Sequence, residues 1–550
     1  MCGIFGLLNY KNKELTIDDI QNMSDAGKHR GPESSDLVFE LNNKDIVFGF
    51  HRLAINGLDT ISNQPFNIDD CILICNGEIY NYKKLFDEMN IVPKTNSDCE
   101  VIIHLYRKFG IENTVQMLDG VFAFMLYDNK SDKIYVARDP YGVRPLFKYK
   151  LDSSINICGF GSELKQLHCL KNNYQAGEIE QFTPATYAIY NNTNNGYQLE
   201  KEKCYNTFNF NSFDVFPQEK WGLYYSLIRD NFERAVKKRV ENTERPIACL
   251  LSGGLDSSLV TSLVKKYYTG EQLETYSIGL EGAEDLKYAK QVAEFLNTKH
   301  TEIIVSEQDF FNAIPEVIEK IESYDTTTVR ASVGNYLIGK YIKEHSDAKV
   351  IFNGDGSDEL CGGYLYMHCA PNALEFDLEC KRLLNEICYF DVLRSDRSIS
   401  TNGLEPRTPF LDRGWVEVYL SIPKEVRFHV LHKLPEKYLL RKAFDNGGYL
   451  PDNILWRTKE AFSDGVSSLN RSWYTIIDEK VKVLNGSFVV NEVTKVNKPT
   501  TLEQHYYRDI FDTLYVGCEN VIPHFWMPKF VEANDASART LKVYADTNQV

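Results

Sequence analysis

Residues 248–260 read ACLLSGGLDSSLV, in which an apolar run leads through two glycines into a helix-like segment. Serine and aspartate suit the first turn of a helix, and a helix N-terminus favours a phosphate group. The lysine of G-x-x-x-x-G-K-[ST] is absent, so this is not a Walker A loop. An ordinary strand–turn–helix is the alternative, but S-G-G-x-D-S directly after a strand favours phosphate binding.

The sequence around this loop alternates between strand-like and helix-like segments. RPIACLL, LETYSIGL, HTEIIVS and KVIFNGDGS are strand-like, whereas SSLVTSLVKKYY and LKYAKQVAEFL have helical periodicity. This alternation predicts a parallel sheet with helices on both faces. Beyond about residue 360 the pattern is mainly helical.

A second glycine-rich segment, FNGDGSDELCGGY, follows the strand-like KVIF. Its acidic residues Asp355, Asp358 and Glu359 form a carboxylate cluster that could hold Mg²⁺ through water. The alternative is a polar loop that caps a helix.

The first 200 residues or so have a different pattern. Short apolar and aromatic runs such as DIVFGFHRLAI, CILICNGEIYNY and GVFAFMLYD are separated by turn residues. They predict a mostly antiparallel β region, with a helix in SDCEVIIHLYRKFG.

Cys2 directly follows Met1. Removal of Met1 would give Cys2 a free α-amino group, whose ordinary pKa of about 7.7–8.0 lets it accept a proton. An N-terminal residue can then supply both nucleophile and base, and the thiolate is the attacking species. The alternative is a small hydrophobic residue at the start of a strand.

Other segments of the same region offer the remaining parts of an acyl-transfer site. Asn76 has a side-chain amide and Gly77 lets a backbone N–H approach closely, as an oxyanion hole requires. Arg52 has the fork that suits a carboxylate, and Asp98 can hold an ammonium group. Each signal is weak by itself. Together they describe a pocket for an α-amino acid, and the amino acid whose side chain is a cleavable amide of suitable length is glutamine.

Composition limits the class of protein. A chain of 550 residues suggests two to four domains, and 43% hydrophobic with 25% charged residues is typical of globular proteins. The net charge of −16 disfavours non-specific binding to nucleic acid or anionic membranes. The sequence has no apolar run long enough to span a membrane and no visible signal peptide. The 13 scattered cysteines fit reduced thiols, so we expect a cytoplasmic protein.

The motifs MCGIFG, HRGPESSD, HRLAI, NQPF, NGEIYN, DGVFAFMLYD and ARDPYGVRPLF resemble those of class II glutamine amidotransferases in order and spacing. Further motifs, EPRTPFLD, RTKEAFSDGV, DTTTVRAS, FDVLRSDRS, LRKAF, PHFWMPKF and DASARTL, extend the resemblance to glutamine-hydrolysing asparagine synthetases over nearly the whole chain.

The resemblance implies an α+β N-terminal-nucleophile domain of antiparallel sheets with helices at 2–205. It implies an α/β parallel-sheet pyrophosphate-loop domain with a largely helical C-terminal part at 215–550. It also implies asparagine synthesis from aspartate and glutamine through β-aspartyl-AMP, with ATP and Mg²⁺, and an internal route for ammonia. We expect small-molecule partners, no nucleic acid, no membrane, and a homodimer as the candidate assembly.

The residues implied by the resemblance form four sets. The catalytic set is Cys2, Asn76, Gly77 and Asp355, and the glutamine-binding set is Arg52, Leu53, Ala54, Ile55, Asn56, Asn76, Gly77, Glu78 and Asp98. The ATP-binding set is Leu250, Ser252, Gly253, Gly254, Asp256, Ser257, Ser258, Ile278, Asn353, Gly354 and Lys459. Aspartate and the intermediate would contact Arg330, Asp355 and Arg397, and the metal would contact Asp256 and Asp358.

The chain departs from the family pattern in one segment. The family usually has SGEGSDE where this chain has NGDGSDE, so Asp355 replaces a glutamate and Asn353 a serine. The acidic group is kept but its reach is shorter by roughly one C–C bond, and catalysis tolerates misplacements of about 1 Å poorly.

Three rival functions have different requirements. An enzyme similar to β-lactam synthetases would not need the N-terminal thiol, and a ligand sensor would bind ATP without turnover. An RNA-modifying pyrophosphate-loop enzyme is disfavoured by the net charge of −16.

Overall fold

The computed structural model describes residues 1–11, 15–151, 156–174, 176–208, 210–445, 447–484, 486–488, 496–533 and 535–541. The chain forms two compact units, each assembled from several stretches. The first unit contains Met1–Thr207, Ser400–Glu405 and Phe511–Pro523, and the second contains Phe208–Ile399, Pro406–Ile510 and His524–Val550. The domain limits 2–205 and 215–550 stay predictions.

The N-terminal part of the first unit is built mainly of strands. These are β1 Gly3–Leu8, β2 Ser34–Phe39, β3 Ile46–Arg52, β4 Phe66–Ile68, β5 Cys71–Ile79, β6 Gly120–Asp128, β7 Lys133–Arg138, β8 Phe147–Lys150, β9 Cys158–Gly161, β10 Glu178–Gln181, β11 Thr186–Thr193 and β12 Gly196–Cys204. The helices are α1 Ile17–Asp25, α2 Tyr82–Met89, α3 Val101–Met117 and α4 His168–Asn173.

These strands form two antiparallel sheets with a shared core. One sheet has the order β10-β8-β9-β1-β3-β2 and the other the order β12-β11-β7-β6-β5-β4. Apolar side chains from both sheets, among them Ile4, Phe48, Ile74 and Met125, form one buried cluster. Because side chains alternate between the two faces of a strand, each sheet directs one of its faces into this core.

Helices pack on the two sheets from outside this core. Helices α2 and α3 bury Leu85, Ile102 and Val115 in a second cluster with the other face of the second sheet. On the first sheet, a Cβ at Gly49 of β3 would lie 2.7 Å from the Ser24 hydroxyl of α1. The layers of sheet and helix confirm the predicted α+β N-terminal-nucleophile fold.

From residue 208 onward helices dominate the chain. The helices are α5 Gly222–Glu241, α6 Leu255–Tyr267, α7 Glu284–Leu296, α8 Glu307–Asn312, α9 Ile314–Ile321, α10 Thr326–His345, α11 Ser357–Cys361, α12 Ala373–Glu386, α13 Asp391–Ser400, α14 Arg413–Ser421, α15 Lys424–Arg427, α16 Tyr438–Ala443, α17 Asp452–Leu455, α18 Phe462–Gly465, α19 Trp473–Val483 and α20 Leu502–Leu514. The strands are β13 Ile247–Leu250, β14 Glu274–Leu280, β15 Lys299–Val305, β16 Val350–Phe352 and β17 Glu405–Arg407.

The strands of this part form a sheet in the order β15-β14-β13-β16-β17. Strand β13 pairs in parallel with both β14 and β16, and β14 pairs in parallel with β15. Because β13 and β16 are parallel neighbours, the loops that follow them lie at the same edge of the sheet. Ligands of open α/β sheets bind at this edge. The predicted pyrophosphate-loop fold with a largely helical C-terminal part is confirmed.

No helix in the described part of the chain is both long and apolar enough to cross a bilayer.

Candidate active sites

Cys2 directly precedes β1 and is half-buried. Its Sγ is 3.6 Å from the carbonyl oxygen of Leu53, and burial raises the pKa of the thiol to about 11. Met1 is buried, and its amino group donates to the carbonyl oxygen of Leu404 at 3.2 Å. Burial lowers the pKa of that amine to about 5. While Met1 is attached, Cys2 is therefore a poorly ionised thiol whose own nitrogen is an amide.

Arg30 holds the backbone of Cys2. Its Nε donates to the carbonyl oxygen of Cys2 at 3.0 Å, while its Nη1 donates to the Glu163 carboxylate at 3.0 Å and the Ser400 hydroxyl at 2.9 Å. The side chains of Arg30 and Glu163 are fully buried. Sequence reasoning assigned neither residue a role, although Arg30 stands in the motif HRGPESSD that supported the resemblance.

Asn76 in β5 is a buried amide without partners. The residue is 1% exposed, and within the described part of the chain neither its amide nitrogen nor its amide oxygen has a hydrogen-bond partner. A buried polar group left without a partner is costly and rare in native proteins, as expected of a group reserved for a ligand. Gly77 is required by packing as well, because a Cβ there would lie 2.8 Å from the carbonyl oxygen of Val121 in β6.

Arg52, at the end of β3, is engaged with the loop that follows it. Its guanidinium donates to the carbonyl oxygens of Asp59 at 2.7 Å and Asn56 at 3.3 Å, and also to that of Gly57. It donates to the Asn63 side chain at 2.5 Å. The structure therefore places the guanidinium at the centre of this loop, and its role as a carboxylate clamp stays a prediction.

Hydrogen bonds join several residues of the predicted glutamine pocket. Asn56 donates to the Glu78 carboxylate at 2.8 Å, and the N–H of Ile79 donates to Asp98 at 2.6 Å. The end of β5 is thus linked both to the segment after β3 and to the turn that begins at Asp98.

The three residues between Arg52 and Asn56 form a buried segment. Leu53, Ala54 and Ile55 are all buried. The N–H of Ala54 donates to the Glu33 carboxylate at 2.7 Å. Glu33 was not predicted as a site residue, although it also stands in the motif HRGPESSD.

The phosphate loop of the second unit folds around its serines. The hydroxyls of Ser252 and Ser257 are 2.9 Å apart, and the N–H of Ser252 donates to the Ser257 hydroxyl at 3.2 Å. Gly253 has a φ of +74°, and a Cβ there would lie 2.4 Å from the backbone nitrogen of Ala289. Only glycine suits this left-handed and crowded position. Gly254 then precedes helix α6 as its N-cap.

This loop lines a cavity together with most of the predicted nucleotide residues. A Cβ at Gly354 would lie 2.7 Å from the backbone nitrogen of Ser257, so the loop after β16 packs directly on the phosphate loop. Ser258 is fully buried, and no hydrogen-bond partner of its hydroxyl is found among the described residues. The predicted site residues that line the cavity are Leu250, Ser252, Gly254, Asp256, Ser257, Ile278, Asn353, Gly354, Asp355, Asp358 and Lys459.

Two lysines lie between the carboxylates of Asp256 and Asp358. Lys437 Nζ is 2.7 Å from Asp256 and 2.6 Å from Asp358. Lys459 Nζ is 2.6 Å from Asp358 and 3.6 Å from Asp256. Burial opposes ionisation of Asp358, but the two lysines hold its pKa below its usual range. Lys437 was missed by sequence reasoning, and its only signal was a lysine just ahead of the motif LRKAF.

The chemistry of these carboxylates fits Mg²⁺. Mg²⁺ is usually held by one or two protein carboxylates together with substrate phosphates and water, and Asp256 and Asp358 both line the cavity. Among the described residues, no group of three or more His, Cys, Asp and Glu side chains converges as a metal site. Mg²⁺ held by these two carboxylates would take its remaining ligands from a bound phosphate and from water.

The loop that departs from the family pattern is tied to helix α13. Asn353 donates to the Ser395 hydroxyl at 2.7 Å, and Arg394 donates to Asp355 Oδ1 at 2.9 Å. Asp355 Oδ2 is buried, and in the part of the chain that the structure describes it has no hydrogen-bond partner. One carboxylate oxygen is therefore fixed while the other is available.

An acid that sequence reasoning did not assign lies beside this loop. Asp391 contacts Arg394 and lines the cavity. Burial raises the pKa of Asp391 to about 7, and the negative charges of Asp355 and Asp358 add to this effect while Arg394 opposes it. The cavity therefore contains a carboxyl group that can hold a proton near neutral pH.

The two arginines predicted for the aspartate site are both buried in ion pairs. Arg330 is held by the carboxylates of Glu503 and Asp535. Arg397 donates to Glu322 at 2.6 Å. In the described part of the chain, the lining of the nucleotide cavity includes neither arginine. The structure therefore does not bring them together with the other predicted site residues.

The folds and sites define a class, an amidotransferase of the N-terminal-nucleophile type joined in one chain to a pyrophosphate-loop enzyme. Comparison with known protein families supports this class. The model of a glutamine amidotransferase domain matches residues 1–198, and that of asparagine synthase matches 227–384 and 371–519.

Two relatives that match over their full length identify the family within this class. The chain is 41% identical to the glutamine-hydrolysing asparagine synthetase of Gallus gallus over 578 residues, with 100% of each chain covered. It is 41% identical to that of Homo sapiens over 566 residues, with 99% of each covered. The chain belongs to the family of glutamine-hydrolysing asparagine synthetases.

Proposed function

We propose that the protein makes asparagine from aspartate, with nitrogen from glutamine and energy from ATP. The observation that carries the proposal is the cavity in which the phosphate loop, the acidic loop after β16 and Lys459 meet. The protein is a ligase that carries its own amidotransferase domain. The use of ATP follows from the family, whereas Mg²⁺, the cytoplasmic location and a homodimer stay predictions.

In the glutaminase reaction, Cys2 Sγ attacks the side-chain amide carbon of glutamine. A γ-glutamyl thioester forms, ammonia leaves, and water releases glutamate. A buried thiol needs a base to form the attacking thiolate, and the α-amino group freed by removal of Met1 supplies it. Asn76 donates its unpartnered amide N–H to the oxyanion that develops.

Arg30 contributes to this reaction by position. Its guanidinium is fixed by Glu163 and Ser400, and it holds the carbonyl of Cys2 at 3.0 Å. Fixing the backbone of the nucleophile limits the orientations of Sγ, and orientation carries a large share of catalysis.

In the synthetase reaction, the β-carboxylate of aspartate attacks the α-phosphate of ATP. Pyrophosphate leaves and β-aspartyl-AMP forms. Lys437 and Lys459 provide cations in the cavity for the negative charge that grows on the leaving group. Ammonia then attacks the acyl carbon and AMP leaves.

Asp355 is the proton acceptor that we assign to the second step. Ammonia loses a proton when it becomes an amide nitrogen, and Asp355 Oδ2 is a buried carboxylate oxygen without a partner among the described residues. The other oxygen is held by Arg394 at 2.9 Å, which fixes the carboxylate in spite of its shorter side chain.

Asp256 and Asp358 are the residues that would hold Mg²⁺. When bound with ATP, the metal supplies charge neutralisation at the leaving pyrophosphate. Lys437 and Lys459 favour the ionised form of Asp358, which is the form that binds a cation.

One experiment tests the proposal. The protein is incubated with aspartate, ATP and Mg²⁺, and with either amide-¹⁵N glutamine or ¹⁵N ammonium, while asparagine, AMP and pyrophosphate are measured. We expect labelled asparagine from both sources, with equal amounts of AMP, pyrophosphate and asparagine. Nucleotide binding without product from either source would favour a ligand sensor instead.

A further inference from the structure

Residues 524–533 and 535–541 form a segment that we call the C-terminal strap. Among these described residues, the only regular helix or strand is a 3-10 turn at Ala538–Thr540. Despite this irregular backbone, the strap makes several buried contacts within the second unit, and these contacts reach two walls of the nucleotide cavity.

The anchor of the strap is Arg330 on helix α10. Arg330 donates to both oxygens of Asp535 at 2.8 Å, and to the two oxygens of Glu503 at 2.8 and 2.5 Å. Its guanidinium also stacks 4.9 Å from the ring centre of Tyr474. Two forked carboxylate contacts use most of the guanidinium donors, which leaves little capacity for a substrate carboxylate.

A second attachment fixes the start of the same helix. The N–H of Trp526 donates at 2.7 Å to Asp325, whose other oxygen caps helix α10 by accepting from the N–H of Thr328 at 2.9 Å. Trp526 and Thr328 both line the nucleotide cavity. The strap is therefore attached to α10 at the helix start and at Arg330, about one turn further on.

Further attachments hold another wall of the cavity. The Ser537 hydroxyl donates to Asp464 at 2.7 Å. Arg539 donates to the Glu460 carboxylate at 2.7 Å. Glu460 lines the cavity, as do the residues that directly follow it. The same strap thus holds both helix α10 and the segment 460–464.

We propose that the C-terminal strap positions these two walls of the nucleotide cavity, with Arg330 as its anchor, and that Arg330 is a positioning residue rather than a ligand of aspartate. This inference rests on the proposed synthetase function. It differs from the expectation drawn from the resemblance, in which Arg330 contacts aspartate, and the two alternatives predict different effects of the same substitution.

The test is Asp535→Asn, which removes one charge without changing the size of the side chain. Misplacement of a cavity wall should lower the kcat for pyrophosphate release by about 10- to 100-fold, with the KM for ATP raised and glutamine hydrolysis unchanged. Asp535→Glu should recover part of the rate. Glu532→Gln, which removes an exposed charge of the same strap, is the matched control and should match the wild type.

Two results would refute the positioning role of the C-terminal strap. If Asp535 only blocks an aspartate clamp, Asp535→Asn should lower the KM for aspartate and leave kcat intact. A wild-type rate with wild-type KM values would also refute a positioning role. If Asp535→Asn does not fold, Ser537→Ala tests the positioning role instead. This variant removes only the hydroxyl that donates to Asp464, and it should still lower the kcat for pyrophosphate release.

A second readout separates failure of the strap from failure of the proposed function. Limited proteolysis needs no turnover, and Asp535→Asn should be cut within the strap faster than the wild type or Glu532→Gln. If the wild type makes no pyrophosphate, the proposed function fails, whereas the proteolysis result still tests the attachment. Equal cleavage rates in all three proteins would refute the claim that Asp535 attaches the C-terminal strap.

Discussion

Replacing Lys437 by methionine should separate the two activities of this protein. Lys437 is 3% exposed, and its ammonium group lies 2.7 Å from Asp256 and 2.6 Å from Asp358. Methionine keeps most of the length and apolar volume of the side chain but removes the charge. The two carboxylates would then share only Lys459, and the uncompensated negative charge would repel the phosphates of ATP.

The size of the effect follows from these contacts. At an effective dielectric constant of about 20, a contact of 2.7 Å corresponds to roughly 6 kcal/mol of attraction. Desolvation offsets much of this, so loss of one partner of a buried ion pair costs about 3–5 kcal/mol of stability. That is less than the roughly 5–15 kcal/mol of a typical folded protein. The catalytic loss should resemble removal of one preorganised donor, about 10²- to 10³-fold in kcat.

The assay measures pyrophosphate release from aspartate and ATP in parallel with glutamate release from glutamine. In Lys437→Met, pyrophosphate release should fall by about 10²- to 10³-fold, with glutamate release unchanged. Lys433→Met, at an exposed lysine that precedes Lys437 in the chain, is the control and should behave as the wild type. The reasoning is refuted if Lys437→Met keeps a wild-type synthetase rate, or if both activities fall together.

Four further outcomes test other parts of the two units. Cys2→Ala should abolish asparagine formation from glutamine but keep formation from ammonium, whereas Cys204→Ala, at an exposed thiol, should change neither. Persistent glutamine use by the first variant would exclude Cys2 as nucleophile. Asn76→Ala should lower the glutaminase kcat by about 10²- to 10³-fold with little change in KM, because oxyanion donors act in the transition state; an unchanged kcat would remove Asn76 from the site. Asp355→Ala should suppress asparagine formation from both nitrogen sources while glutamine hydrolysis continues, so wild-type asparagine yields would make Asp355 a simple loop residue. Burial opposes ionisation of Asp412, but Arg239 and Lys238 hold its pKa at about 2 instead of 3.8. The ionised carboxylate therefore contributes its full stabilisation of the folded protein above pH 3.8, and this contribution is lost as the pH falls towards 2. Asp412→Asn should therefore lower the thermal midpoint at neutral pH and flatten its decrease in acid, and an unchanged acid profile would contradict this.

Local pattern was enough to predict the antiparallel sheets of the first 200 residues or so and the parallel sheet with helices that follows, whereas the names of the two folds came from the family resemblance. Strand-like and helix-like segments such as RPIACLL and SSLVTSLVKKYY became β13 and α6 because their hydrophobic periods match one secondary structure each. The phosphate loop could also be predicted from local sequence, because its tight turn requires glycine. Gly253 has a φ of +74°, a backbone conformation that glycine adopts readily.

Contacts between distant parts of the chain could not be predicted in this way. Lys437 meets Asp256 across 181 residues, and Arg330 meets Asp535 across 205 residues. Neither a period nor a spacing records such a pairing, because nothing in the local sequence says which charged groups share a buried site. The predicted role of Arg330 therefore rests on the resemblance alone.

The composition of the first unit has a consequence for dividing this protein into parts. Besides Met1–Thr207, the unit contains Ser400–Glu405 and Phe511–Pro523. A gene fragment that ended near residue 207 would encode Arg30 without Ser400, and Arg144 without Glu405, which lies 3.4 Å from it. A fragment limited to the N-terminal sheets would therefore lack part of the unit that contains Cys2. Truncation or recombination after the N-terminal sheets would therefore remove polar partners from the neighbourhood of the nucleophile.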